Sequence, residues 1–303
     1  MRYVDHGDGL FTVVGGAFPL CNTQVIDSGE LSVIDPGCAI EDLRAFLRSR
    51  GRELRDVKNV MLSHIHPDHI THAVRLERLS RCRIVANEIT APLFNDKEKM
   101  KVFLGFHPGH PVREHWERLV NDRMYGALEE GRVGEVVSDG DRIALGDVTL
   151  RMLSTPGHTA DHMCIEVVET KTMIAADIDC TEFGPYYGHP TSSIPSFRDS
   201  IRRLHAMDIS KFLSGHATQV EIRDHRQALE AYDRQFDIRE DLVLNAVVSG
   251  AKSLDDIVSD PIVYPSLSNV VFLQFERWMI EHHVKSLITK GLLREDRGVL
   301  KAT

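Results

Sequence analysis

The sequence predicts an α/β or α+β fold, because short apolar runs typical of strands are interleaved with segments of helical periodicity. The chain has 303 residues, of which 42% are hydrophobic and 27% charged, and it is long enough to bury a core without disulfides. Strand patterns nearly vanish after about residue 220. We therefore expect a mixed α/β region over 1–220 and a mainly helical region over 221–303.

The beginning of the chain predicts short strands separated by turns. The runs at 24–26 and 31–34 flank Asp-Ser-Gly-Glu, which is typical of a β-hairpin. Apolar residues at helical spacing predict a helix over 40–50 that ends at Gly51. The continuous apolar run within 57–63 predicts a buried strand.

The remaining elements follow in order along the chain. Further strands are predicted at 83–86, 142–145, 148–153, 163–168, 172–176 and 211–213, and a helix at 197–207. Between them, the charged and helically patterned segment 88–130 predicts a helical insertion that acts as a lid. The last residues predict a helix followed by a hairpin through Arg297 and Gly298, which resembles the end of a winged-helix unit.

Composition excludes several classes of protein. The formal net charge is -9, and this acid excess argues against a nucleic-acid or anionic-membrane surface. The five cysteines are scattered and never form a C-x-x-C pair, which excludes a disulfide framework and a thiolate zinc site and favours a cytoplasmic compartment. Histidine is unusually frequent, with 16 residues.

Four candidate metal ligands lie within six residues directly after the predicted strand 57–63, in the order His64, His66, Asp68 and His69. Alternation in an extended segment points His64 and His66 in the same direction. Pro67 then breaks the strand, so the two following ligands can turn towards a neighbouring point. Such a loop can serve two metal ions about 3.5–4 Å apart.

Three later motifs complete a pattern. Thr-Pro-Gly-His158-Thr, Ala-Asp177 and Ser-Gly-His216 follow in this order, each at the end of a predicted strand. Together with H-x-H-x-D-H, they make the region from about 10 to 220 resemble the metallo-β-lactamase superfamily. The resemblance implies a four-layer αββα sandwich, here with the helical insertion and the helical C-terminal extension.

The resemblance also implies a dinuclear metal centre. One metal would be held by His64, His66 and His158, the other by Asp68, His69 and His216, and Asp177 would bridge both. Asp35, in Asp-Pro-Gly, matches an early turn of the family that orients a ligand imidazole; a plain turn residue is the alternative.

Charge counting indicates the chemistry of this centre. Two divalent ions, two carboxylates and a bridging hydroxide leave a residual positive charge, so the site stays Lewis acidic. Nitrogen and oxygen ligands without thiolate suit two zinc ions, with iron or manganese as alternatives. Asp68 and Asp177 are the expected catalytic carboxylates.

Residues outside the ligand set are less determined. The hydroxyl of Tyr186 or Tyr187 could donate to a developing oxyanion, although loop packing explains both tyrosines equally well. A structural role is favoured for His189, and a surface position for His282 and His283. Lys97, Lys99 and Lys101 could recognise a phosphate or carboxylate of a substrate, but a solvated helix face is favoured, because acidic residues interleave with them.

The predicted function is hydrolysis of a small ester-type substrate (thioester, lactone or carboxylic ester) by attack of a metal-bridging hydroxide. The ligand set resembles those of glyoxalase-II-like enzymes and lactonases, but the basic residues with which glyoxalase II binds glutathione have no match. A phosphodiesterase or ribonuclease-Z-like hydrolase, and a metal-containing regulatory protein acting through its helical surfaces, are the alternatives. The expected partner is a small-molecule substrate, without nucleic acid or membrane. The C-terminal helices are expected to cover the pocket or to form a homodimer.

Overall fold

The computed structural model describes residues 1–303, and two β-sheets form its centre. The sheets pack face to face, and helices cover the outer face of each. This is the predicted four-layer αββα sandwich. A separate two-stranded sheet lies at the C-terminus.

The first sheet has seven strands in chain order. They are β1 Tyr3–Gly7, β2 Leu10–Val13, β3 Thr23–Ser28, β4 Glu30–Ile34, β5 Asn59–Met61, β6 Arg83–Asn87 and β7 Glu135–Val137. Strands β1 to β4 pair antiparallel, which includes the predicted hairpin, and β4 to β7 pair parallel. The carboxyl ends of β4, β5 and β6 therefore meet at one edge of the sheet.

The second sheet has the order β12-β11-β10-β9-β8. Its strands are β8 Arg142–Leu145, β9 Val148–Ser154, β10 Met163–Val167, β11 Thr172–Ile174 and β12 Lys211–Leu213. Strand β10 runs antiparallel to both β9 and β11, and β12 runs parallel to β11. Strands β9, β11 and β12 therefore share one direction, and their carboxyl ends lie on the same side.

The alternation of side chains along the strands builds two cores. Ile34 and Met61 of the first sheet pack with Ile165 of the second in the core between the sheets. Their neighbours Val33 and Val60 face the opposite way, into the core beneath the helices. One residue of offset thus decides which layer a side chain enters.

Ten helices surround the sheets. They are α1 Ile40–Ser49, α2 Pro67–Ile70, α3 Ala73–Ser80, α4 Thr90–Phe94, α5 Lys97–Phe103, α6 Arg113–Arg123, α7 Ile194–His205, α8 His225–Val248, α9 Leu254–Val258 and α10 Val270–Thr289. Helices α4 to α6 form the predicted insertion. None of the helices combines the length and apolar composition that crossing a membrane requires.

The C-terminal region packs α8, α9 and α10 against one another and ends in the predicted hairpin, β13 Leu293–Asp296 and β14 Val299–Ala302. Its apolar side chains join the core that also holds residues of both sheets. Two strands were not predicted. Most of β1 is exposed, and β7 has only three residues in a charged stretch, so neither carries a clear apolar pattern.

Candidate metal centre and its cavity

The seven predicted metal ligands lie together at one edge of the sandwich, because each follows the end of a strand. The His64–His69 loop follows β5, His158 follows β9, Asp177 follows β11 and His216 follows β12. The shared direction of β9, β11 and β12 brings the last three ligands to one side. Pro67 starts the short helix α2, whose first turn carries Asp68 and His69.

The ligand atoms form two groups. His64, His66, His158 and Asp177 make up one group, and Asp68, His69 and His216 the other, with the donor atoms of each within 4.8 Å of one another. Asp177 lies between them: its Oδ2 is 3.2 Å from His158 Nε2, and its Oδ1 is 2.8 Å from His69 Nε2. This grouping is the one that the family resemblance implied.

Hydrogen bonds orient the imidazoles towards the centre. The Nδ1 of His158 lies 2.9 Å from the Tyr186 carbonyl oxygen, and that of His216 lies 3.1 Å from the Leu20 carbonyl oxygen. A carbonyl oxygen can only accept, so each Nδ1 carries the proton. The Nε2 lone pair of both rings is therefore free for a metal.

Asp35 performs the same task for His69, as expected. Its Oδ2 lies 2.9 Å from His69 Nδ1 and accepts from the Ser63 hydroxyl at 2.6 Å. The Ser63 oxygen in turn lies 2.9 Å from His64 Nδ1. A Cβ on Gly37 would lie 1.7 Å from the Asp68 carbonyl oxygen, so only glycine lets this turn pack against the ligand loop.

The donor set fits divalent metal ions. The unprotonated Nε2 of His158 faces Asp177 Oδ2 at 3.2 Å, so two acceptors point at the same buried point, which is costly unless a cation lies there. Burial lowers the pKa of His158 to about 3 and keeps this ring neutral, which is the form that binds metal. Burial opposes protonation of His216 as well, but the Asp177 and Asp68 carboxylates outweigh it and raise its pKa to about 9. A metal ion would take the place of that proton.

Two supporting residues have no distinctive sequence pattern. His162 is buried, and its Nε2 accepts from the Asp177 backbone N–H at 3.1 Å, since its Nδ1 faces the Thr155 carbonyl. Asp161 accepts from the Ile65 backbone N–H at 2.8 Å, inside the ligand loop. Their position just after ligand His158 is the one signal that could have identified them.

The two tyrosines differ completely. Tyr186 lines the cavity at the centre, and its hydroxyl lies 3.3 Å from His189 Nε2. Because His189 Nδ1 faces the Leu104 carbonyl at 3.0 Å, Nε2 accepts from Tyr186. Tyr187 does not line the cavity, so the prediction that its hydroxyl donates to an oxyanion is wrong. It is fully buried, and its hydroxyl is 2.7 Å from His283 Nε2.

The expected surface position of the histidine pair near the C-terminus is also wrong for His283, which is fully buried beside Tyr187. His282 is partly buried, with Nε2 2.9 Å from the His189 carbonyl oxygen. The helical pattern of α10 predicts one buried face and one exposed face. It does not reveal the burial of His283, because α8 packs against the face of α10 that the pattern leaves exposed.

A cavity of about 330 Å³ lies over the metal ligands. His66, Asp68, Asp177 and His216 contribute to its lining, and Asp179 lies beside them with a pKa that burial raises to about 6. Most of the other lining side chains are apolar or aromatic. None of the lining residues is a lysine or an arginine.

The three lysines of the insertion lie away from this cavity. Lys101 pairs with Glu98 at 2.7 Å and with Glu117 at 3.0 Å, and the exposed Lys99 pairs with Asp96. Lys97 departs from the expected solvated face, since its side chain is buried and its Nζ has no hydrogen-bond partner. None of the three is placed to bind an anionic group of a substrate.

Comparison with known proteins agrees with this geometry. Residues 18–216 match the family model described as Metallo-beta-lactamase superfamily. The chain is 24% identical over 177 residues to a protein of Aquifex aeolicus, covering 58% of this chain and 72% of that one. It is 26% identical over 212 residues to a hydroxyacylglutathione hydrolase of Rhodopseudomonas palustris, covering 68% and 65%. For seven of the curated relatives it matches, the chain spans between 33% and 65% of their length.

A solved structure extends the similarity to the C-terminal helices. A metallo-beta-lactamase family protein from Thermus thermophilus superimposes with a TM-score of 0.76 at 20% identity, covering 97% of this chain and 99% of that one. A beta-lactamase domain protein from Burkholderia ambifaria gives a TM-score of 0.74 at 16% identity, covering 100% and 94%. At these identities the similarity establishes the fold.

Proposed function

Because the chain belongs to the metallo-β-lactamase superfamily, we propose that it is a dinuclear metal-dependent hydrolase of a small ester-type substrate. Membership places it among metal-dependent hydrolases with a His/Asp metal site. What we propose in addition is that the site holds two ions, that it prefers zinc and that the substrate is of the ester type. The observation that carries it is the pair of ligand groups that share Asp177 beneath a cavity.

Each group would hold one ion. His64, His66 and His158 would hold the first and Asp68, His69 and His216 the second, with one Asp177 oxygen facing each group. When bound, such ions lower the pKa of a water and polarise a carbonyl oxygen. The hydrogen bonds from Asp35 and from the Tyr186 and Leu20 carbonyls keep the ligand rings in place, so little reorganisation is needed.

The reaction adds water across the acyl C–O or C–S bond. The acyl carbon gains the water oxygen, and the leaving alcohol or thiol gains a proton. Asp68 lines the cavity; its Oδ2, 3.5 Å from His216 Nε2, would bind the second ion, and its other oxygen would hold the proton that the attacking water releases and return it to the leaving group. Tyr186 can donate to a substrate oxygen only by giving up its bond to His189.

Several observations favour esters over phosphodiesters. A phosphodiester carries a charge, and beyond the metal centre the cavity lining has no lysine or arginine to bind it. The name of one relative, hydroxyacylglutathione hydrolase, describes cleavage of a thioester, which supports including thioesters. The ribonuclease-Z-like alternative would need a basic channel, and the described cavity supplies none.

Metal analysis and a substrate panel test the proposal. Protein purified without added metal should contain about two ions per chain, and zinc, iron and manganese should be compared after reconstitution. We expect turnover of p-nitrophenyl acetate, a thioester or a lactone, and none of bis-p-nitrophenyl phosphate. Asp177→Ala should abolish turnover, whereas Asp208→Ala, an exposed carboxylate, should not.

The contrary results are distinct. One ion or none per chain would refute the dinuclear centre, and full activity of Asp177→Ala would refute its role. Turnover of the phosphodiester alone would favour the phosphodiesterase. A metal-loaded protein that cleaves nothing in the panel would favour the regulatory protein.

A further inference from the structure

The cavity over the metal centre is divided into a polar floor and an apolar wall. Most of its charged and imidazole groups belong to the ligand set or lie beside it. The wall comes from three parts of the chain: the insertion helices, the sandwich loops that carry Phe18 and Phe183, and the segment from Tyr264 into the C-terminal helix α10.

The insertion contributes the deeper side of the wall. Leu104, Trp116, Val120 and Met124 line the cavity although each is almost completely buried from outside solvent. On the outside, the ion pairs Lys101–Glu117 and Glu98–Arg113 join α5 to α6, the two helices that carry this part of the wall.

The opposite side is a continuous set of aromatic rings. Phe183 and Tyr264 have ring centroids 5.2 Å apart, Tyr264 and Phe272 5.5 Å, and Phe272 and Phe275 6.2 Å. Phe18 stands at the rim, 44% exposed, with its ring edge towards Phe272 at 6.2 Å. All five rings line the cavity.

From this division we infer that the substrate presents an uncharged, apolar group of medium length to the wall, next to the bond that is cleaved. The inference rests on the proposed function and names its substrate class. Water against such a wall is displaced favourably by hydrocarbon, and the cavity of about 330 Å³ offers the space for it. A carboxylate or phosphate placed there would lose its hydration without a basic partner.

Two series of esters test the inference. In one, the acyl chain of a p-nitrophenyl ester grows from acetate through butyrate and hexanoate to octanoate; in the other, the alcohol of an alkyl acetate grows in the same steps. We expect kcat/KM to rise by as much as about fourfold per methylene in at least one series until the cavity is filled. A chain of equal length that ends in a carboxylate should lose that gain.

Filling the wall should reverse the preference. Val120→Phe replaces a small aliphatic side chain on the deeper side of the wall with an aromatic ring. The ratio of kcat/KM for octanoate over acetate should then fall at least tenfold. Val102→Phe is the matched control, because Val102 is 50% exposed on the neighbouring helix α5 and outside the cavity. Circular dichroism establishes that both variants are folded.

A binding measurement on metal-free protein makes the test independent of turnover. The neutral probe N-phenyl-1-naphthylamine should fluoresce in the wild-type cavity, and Val120→Phe should weaken its binding while Val102→Phe should not. Short-ester hydrolysis with flat dependence on chain length in both series would overturn the inference and leave the proposed function intact. Absence of all ester hydrolysis with normal probe binding would overturn the proposed function and support the apolar site.

Discussion

Lys97 offers the sharpest test of the physical reasoning, because it is a buried amine without a partner. Its side chain is 4% exposed, and its Nζ makes no hydrogen bond. The nearest compensation is the ring of Phe94, whose centroid lies 4.3 Å from Nζ. Burial lowers the pKa of Lys97 from 10.5 to about 7, against a smaller opposing effect of Glu130.

The lowered pKa of Lys97 means that burying its charged form costs free energy when the protein folds. A fall from 10.5 to about 7 corresponds to about 4–5 kcal/mol as an upper bound. Local rearrangement reduces that figure, so we expect Lys97→Met to raise the free energy of unfolding by about 2–4 kcal/mol near pH 6.5. Methionine has a similar length and no charge to desolvate.

The sign with pH follows from proton binding. Between about pH 7 and 10 the unfolded chain holds the Lys97 proton while the folded protein has released it, so wild-type stability rises with pH in this window. The variant lacks this titration. Its advantage should therefore be largest below pH 7 and should shrink towards pH 10.

Urea unfolding of metal-free protein, followed by circular dichroism at pH 6.5 and 9.5, measures the effect. A chelator in every sample removes the contribution of metal binding. Lys99→Met is the matched control, since the Lys99 side chain is 64% exposed and should change stability little at either pH. The reasoning is refuted when Lys97→Met is no more stable than wild type at pH 6.5, or when its gain is equal at both pH values.

Two further substitutions test how the site is supported. Asp35→Asn removes the carboxylate that faces His69 Nδ1 at 2.9 Å, and metal affinity should fall about 10–100-fold in chelator competition; unchanged affinity would show that the bond does not orient the ring. Arg239→Met removes the buried guanidinium that donates to the Phe183 and Pro185 carbonyls. These hydrogen bonds hold the loop that carries Tyr186. We expect Arg239→Met to lower the free energy of unfolding in urea by about 2–4 kcal/mol. The exposed Arg234→Met is the control, and equal stability of the two variants would contradict this role for Arg239.

The ligand set is the part of the site that could be predicted from the sequence. Each ligand motif follows a strand, and strand ends are visible locally as an apolar run that stops at turn residues. Parallel strands bring their carboxyl ends to one edge, so motifs far apart in the chain meet there. Asp177 and His216, which follow the parallel strands β11 and β12, are therefore neighbours for a reason that is encoded near each of them.

The supporting residues needed tertiary structure. Tyr186 and Tyr187 are adjacent in a loop, where no periodicity tells which side chain faces the cavity. Arg239 of α8 decides it by binding the Phe183 and Pro185 carbonyls. His283 is buried for a similar reason, because its partner Tyr187 comes from a loop almost a hundred residues earlier.

The fold class, the cluster of candidate metal ligands and the turn that holds Asp35 could thus be predicted from the sequence alone. Each of these features depends on residues that are close together in the chain, because the local backbone geometry sets where their side chains point. The burial of Lys97, the exclusion of Tyr187 from the cavity and the apolar wall were decided only by tertiary structure. These features depend on which side chains arrive from α4, α6, α8 and α10, and the dehydration that they impose is a property of the assembled contacts.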